Sequence, residues 1–195
     1  MSFRVFLVVL CSLFWSSLLA QENKPPIPIK ITVLHQAIDL PGFRAFKYPY
    51  KPAITLGTDY VLGQDNGRNW FISGDLGFYF HRDFRTAVFM RAGIGYQQQI
   101  RRFKLGLRAT AGSALVFATE PVYAFENGEY IQARNSGQLV FMPGADISLA
   151  YELRKRANSP EVFLSYQIAI DSPFSPTAVL PHVFVGGGIT FYPFQ

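Results

Sequence analysis

The chain has 195 residues, one domain's length, with 49% hydrophobic, 16% aromatic and 16% charged residues and a formal charge of +5. So low a charged share excludes a long disordered or nucleic-acid-binding tail. No apolar run after residue 20 reaches the roughly 18 residues of a membrane helix, yet 19 Phe, 10 Tyr and 2 Trp need apolar surroundings.

Residues 1–20 read as a secretory signal peptide. Met1–Arg4 is positive, Val5–Leu19 is apolar, and polarity rises after Ala20 in Gln21-Glu22-Asn23-Lys24. The only cysteine, Cys11, lies inside this segment and follows Leu10, where lipidation needs a small residue. Residues 21–195 then offer no thiol for a disulfide, a metal or nucleophilic attack. Loss of Arg4 lowers the formal charge to +4. That charge reads as spread along the chain and is a weak pointer to an anionic partner.

The rest of the chain has an apolar period of two, not 3.6. The first candidate strand is Pro28–Ala37, where Ile29, Ile31 and Val33 alternate with Lys30 and Thr32. It sits in an N-terminal segment, residues 21–51, and its alternative is an extended segment outside the barrel of residues 52–195. Ala53–Leu62 follows, then Trp70–His81, Thr86–Gln97 and Phe103–Phe117, each alternating along its length. Gln138–Leu153 carries Pro143, which predicts a bulge or a rim position. Glu161–Asp171 alternates strictly, and His182–Phe194 is apolar on both faces around Gly186-Gly187-Gly188. Between these runs lie turn-forming residues, among them Asp65-Asn66-Gly67. The longest connection is Ala118–Gly137.

The pattern predicts an all-β fold, an eight-stranded antiparallel up-and-down transmembrane barrel. Three features favour lipid over water outside it. The strands exceed the roughly 9–11 residues of a tilted membrane strand. Aromatics bracket the strands as interfacial girdles do: Trp70 and Phe71 against Phe78, Tyr79 and Phe80, and Phe103 against Phe117. The polar faces hold Gly, Ser, Thr and single charges with little Lys, unlike a solvated surface.

The signal ending Ala20-Gln21, the repeated hairpins over residues 50–195 and the ending Gly188-Ile189-Thr190-Phe191-Tyr192-Pro193-Phe194-Gln195 together resemble small outer-membrane barrels. These are the OmpA transmembrane domain and OmpX, and more closely the short barrel proteins of Bacteroidota. The resemblance implies export to a bacterial outer membrane, contact with outer-membrane lipids, and a last strand read by the barrel assembly machinery. Phe194 is next to last rather than last, and Pro193 interrupts the run.

An eight-stranded barrel has an interior just wide enough for side chains to fill. Strand parity turns Asp59, Asp75, Arg91, Lys104, Arg108, Asp146 and Glu152 inward, with Glu161 and Asp171. Unpaired charges there are costly. Arg91 and Arg108 are therefore expected each to meet one of Asp59, Asp75 or Asp146, plugging the lumen; the alternative is a narrow channel for ions or small solutes.

Catalysis at the rim, on lipid A or phospholipid, is the third reading. His81 beside Asp83, with Ser172 or Ser175, could supply a Ser-His-Asp set, but His35, His81 and His182 at strand ends read as solvated or girdle residues. No enzyme activity, metal, cofactor or nucleic-acid partner is expected. The segment Ala118–Gly137 carries Tyr123, Phe125, Glu126, Glu129, Tyr130 and Arg134. It is the expected contact for an envelope protein partner, because loops on a rigid scaffold carry binding.

Overall fold

The computed structural model describes residues 27–38, 49–82, 84–119, 122–126, 129–133, 137–154, 159–173 and 179–193. Residues 1–20, expected as a signal peptide, and Asp83, Arg134 and Ser175 lie outside them, as do the side chains of Tyr123, Phe125, Glu126 and Tyr130. No helix occurs among the described residues. The strands are β1 Ile29–Ala37, β2 Pro52–Asp65, β3 Arg68–His81, β4 Arg85–Ile100, β5 Phe103–Ala118, β6 Val122–Glu126, β7 Glu129–Ala133, β8 Gln138–Phe141, β9 Gly144–Glu152, β10 Glu161–Asp171 and β11 Leu180–Phe191.

Eight staves close into an antiparallel barrel. Each of β1 to β4 pairs with the next, β5 pairs with both β8 and β9, β9 with β10, β10 with β11, and β11 returns to β1. Ile29–Ala37 is therefore a stave of the wall: it runs beside Phe191–Val183 on one flank and Gly57–Pro52 on the other. Closure removes the exposed edges that an open sheet would present.

Pro143 makes neither a bulge nor a rim position. On β5 the partners Thr110↔Gly144 and Ser113↔Phe141 keep one register across it, and Met142 N donates to Gly112 O at 2.9 Å. β8 and β9 are one stave in which proline omits a single ladder donor, while its carbonyl still accepts from Ile170 N at 2.9 Å. The wall does bulge between Val61 and Gly63 of β2. Asn66 and Gly67, with φ of 46° and 78°, form the two-residue turn that the right-handed twist of a hairpin favours.

The connections divide by end. One end, here the turn end, carries residues 66–67, 101–102 and 153–160, with both termini of the barrel. The opposite loop end carries residues 38–51, 82–84, 119–137 and 172–179. Within 119–137, β6 and β7 pair into a two-stranded sheet of their own.

Burial alternates along the wall. In β3, Trp70, Ile72, Leu76 and Phe78 are exposed outside, while Phe71, Ser73, Asp75 and Tyr79 are buried within. In β4, Val88, Met90 and Ile94 face out, and Phe89 and Arg91 face in. The outer surface is an apolar belt, and the core of the molecule is the lumen.

Candidate functional site

The lumen is the site at which most of the chain's chemistry converges, and it is stacked in layers. At the turn end, Lys30 Nζ lies 2.9 Å from Asp59. Beside it, Lys104 Nζ bridges Glu152 at 2.9 Å and Glu161 at 2.7 Å. Gln99 Nε2 donates to the same Glu152 at 3.1 Å. Tyr192, just past β11, is half-buried at this end; burial and the nearby Glu161 charge push its phenol up to about 12.

The middle layer is built on two arginines. Arg108 sits 2.7 Å from Asp75 and 2.7 Å from Asp146, and its Nη1 donates to Ser73 at 3.0 Å. Arg91, 2% exposed, donates to Gln167 Oε1 at 2.9 Å and stands 3.7 Å from Asp75. Asp59, the third acid considered for these arginines, pairs with Lys30 of β1 instead. The layer is electrically balanced, with two guanidinium groups against two carboxylates. A guanidinium fork suits this task because its several donors satisfy more than one acceptor.

Above it lies an aromatic layer. Tyr79, Phe89 and Phe184 meet at ring separations of 5.9 to 6.3 Å, with Leu34, Met142 and Val140 packed around them. Phe71 and Tyr79 are thus luminal rather than girdle residues. Strand-end position points to an interface, but parity turns both inward, and small residues on the neighbouring strands make the space, Ala53 and Ala87 beside Tyr79 and glycine beside Phe71. Phe71 is paired across the sheet with Gly95, and Phe89 with Gly77. A Cβ built on either glycine would collide with the facing ring. Phe163 lies against Gly188 in the same way.

The layer nearest the loop end was not legible as a unit. Asp171 Oδ2 meets both Arg85 and His182, the latter at 3.0 Å. Gln36 Nε2 lies 2.8 Å from His182 Nδ1. His182 and Asp171 are fully buried and His81 nearly so, 6% exposed, with Lys51 Nζ 2.5 Å from its Nε2. His81 and His182 are accordingly luminal, not solvated or girdle groups, because their parity matches that of Asp75 and Phe184. The signal that could have found them is this parity, extended to both ends of each strand.

Among the described residues a histidine–carboxylate pair forms between His182 and Asp171, on adjacent β11 and β10. Among the described residues no group of three metal-ligating side chains comes together. Glu129 and Gln132 of β7 are exposed at the loop end, and the register sets Tyr123 opposite Gln132 and Phe125 opposite Tyr130.

The charge is not spread evenly. Residues 65–68, 101–102 and 153–160 hold six basic residues and one acid, whereas the four loop-end connections hold five of each. The excess positive charge is gathered at the turn end.

No protein-family model matches the sequence, and no curated protein matches it. Solved structures do. Neisserial surface protein A (NspA) superposes with a TM-score of 0.50 at 8% identity, over 85% of this chain and 95% of its own. The outer membrane enzyme PagL gives 0.49 at 10% identity, over 84% and 98%. Ail, the attachment invasion locus protein of Yersinia pestis, gives 0.46 at 14% identity, over 86% and 99%. At these identities the likeness is one of fold: the chain is an eight-stranded closed antiparallel β-barrel of the kind found in small outer-membrane proteins.

Proposed function

We propose that the protein is an exported, non-enzymatic outer-membrane barrel. Its lumen is plugged by its own side chains, and it serves the envelope by binding a protein partner through the loop-end hairpin β6–β7. The observation that carries this reading is the stacked lumen. Two charged layers, an aromatic layer and the Arg85–Asp171–His182 layer follow one another along the bore. Residence in lipid is supported by the outer belt, where Leu76, Met90, Leu139 and Leu164 stand 54–69% exposed. In water so large an apolar patch would drive aggregation; against acyl chains it is the favourable surface.

The histidine of the His182–Asp171 pair has both ring nitrogens engaged and no exposed surface. That speaks against its acting on lipid at the rim. The β6–β7 hairpin is a sheet apart from the wall, with two strand edges that have no strand partner among the described residues. Such edges accept an added strand.

Refolded protein in a planar bilayer, with heat-modifiable gel mobility as the insertion control, tests the plug. Inserted protein that passes no resolved current supports it. Discrete current steps altered by Arg91→Glu or Arg108→Glu would replace it with a narrow channel. A photo-crosslinking residue at Gln132 in cells tests the hairpin: a discrete protein adduct supports the binding role, and its absence removes it.

A further inference from the structure

The three turns that gather the excess charge are neighbours in space. Gly67 O accepts from Gln99 N at 2.7 Å, joining the first turn to the β4–β5 turn. Arg102 O accepts from Glu152 N at 2.9 Å, joining that turn to the end of β9. Arg68, Arg101 and Arg154 are exposed and Arg102 is half-exposed. None of the four forms an ion pair among the described residues; Asp59, Glu152 and Glu161 are taken by Lys30 and Lys104 inside the lumen, and the one acid in the turns, exposed Asp65, stands opposite Arg68. Lys155 and Arg156 follow in sequence, outside the described residues.

Just inside this band lies an aromatic row on the outer wall. Trp70 packs edge-on to Tyr96 at 5.3 Å, and Phe103 against Tyr151 at 5.2 Å. Trp70 and Phe103 are 52% and 53% exposed. Aromatics so placed mark headgroup height in a barrel. The arginines therefore stand at the level of lipid phosphates, with Arg102 Nη1 donating to the Tyr151 hydroxyl at 3.2 Å. Arg101 keeps a φ of 59°, a conformation that Gly or Asn adopts at less cost.

We infer that this arginine band binds the phosphates of anionic phospholipids in the leaflet at the turn end, which is the periplasmic leaflet. Guanidinium groups match phosphate oxygens in paired hydrogen bonds. Each basic side chain close to an anionic membrane surface strengthens attraction to that surface roughly five-fold. The band thus gives the barrel a polarity across the membrane, since the loop end is charge-balanced. The inference rests on the outer-membrane reading above.

The experiment uses the mature protein in nanodiscs of three parts phosphatidylcholine to one part phosphatidylglycerol. Lipids retained on the ejected protein are counted by native mass spectrometry. Several-fold enrichment of phosphatidylglycerol is expected, falling toward one at high salt. It should vanish in the variant Arg68→Gln, Arg101→Gln, Arg102→Gln, Arg154→Gln and persist in the matching Arg→Lys variant. A control removing Arg44, Lys47, Arg82 and Arg134 at the loop end should leave it unchanged. Enrichment that survives the four glutamines, or ignores salt in the native protein, overturns the inference. So does binding of soluble polyglutamate without lipid enrichment, which would point to a soluble anionic partner. Failure of the native protein to insert would instead overturn the outer-membrane reading.

Discussion

Arg108 shows how a luminal side chain is chosen by charge arithmetic. It answers two aspartates at 2.7 Å each, and all three side chains are 7% exposed. Arg108→Ala leaves Asp75 with only the longer contact to Arg91 and strips Asp146 of its arginine, which should cost about 3–5 kcal/mol. Urea unfolding in lipid vesicles checks this. Arg108→Met combined with Asp146→Asn should recover most of the loss, because Asp75 stays opposite Arg91 and the layer keeps one guanidinium against one carboxylate. An unrecovered double variant would mean that the layer works by shape rather than charge. The glycines give a second residue-scale outcome. Gly95→Val must displace the Phe71 ring and should cost roughly 1–3 kcal/mol, while Phe71→Ala in the same chain should relieve part of that strain. Parity was readable here: Asp75 and Arg108 share a face with Ser73 and Gly106. What parity lacks is depth around the circle. It puts Lys30 and Asp59 on the same face of neighbouring strands, but only the stagger of β1 against β2 brings them to 2.9 Å.

Elements were more legible than partners because a period of two survives any amount of closure. Each of the eight runs became a stave, with bounds shifted by a few residues, such as His182–Phe194 against β11 Leu180–Phe191. Pro143 was misread because proline in a strand usually marks an irregularity. Here the neighbours on both sides hold register, and the wall tolerates one absent donor. β1 is the element on which closure depends. It holds nine partners on β11 and six on β2; without it, two edges of apolar strand face each other across a gap. A chain of residues 52–195 should therefore fail to give the heat-modifiable folded band under conditions where residues 21–195 give it. A folded band from the shorter chain would show that seven staves can close.

At the scale of the whole molecule, the distribution of charge was hidden while it was counted along the sequence. Inside the barrel charges nearly cancel, at the loop end they cancel, and the remainder collects at one end only once the hairpins fix which turns are neighbours. The same division separates the wall from what it carries. β6 and β7 form their own sheet, so the lumen layers and the eight-stave ladder are complete without them. Replacing residues 120–136 by a short Gly-Ser link should leave unfolding stability within about 0.5 kcal/mol of the parent, as for changes away from the packed core. Shortening the connection also lowers its closure cost, and only slowly with length. The readout is the urea midpoint in vesicles together with the folded gel band, and co-purification from cells of the protein that the parent chain crosslinks through Gln132. Stability retained while that protein no longer co-purifies would mean that the barrel is a scaffold and the hairpin its binding element. A large fall in stability would instead make the hairpin a brace for the wall. The exposed edges of β6 and β7 would then serve the fold rather than a partner.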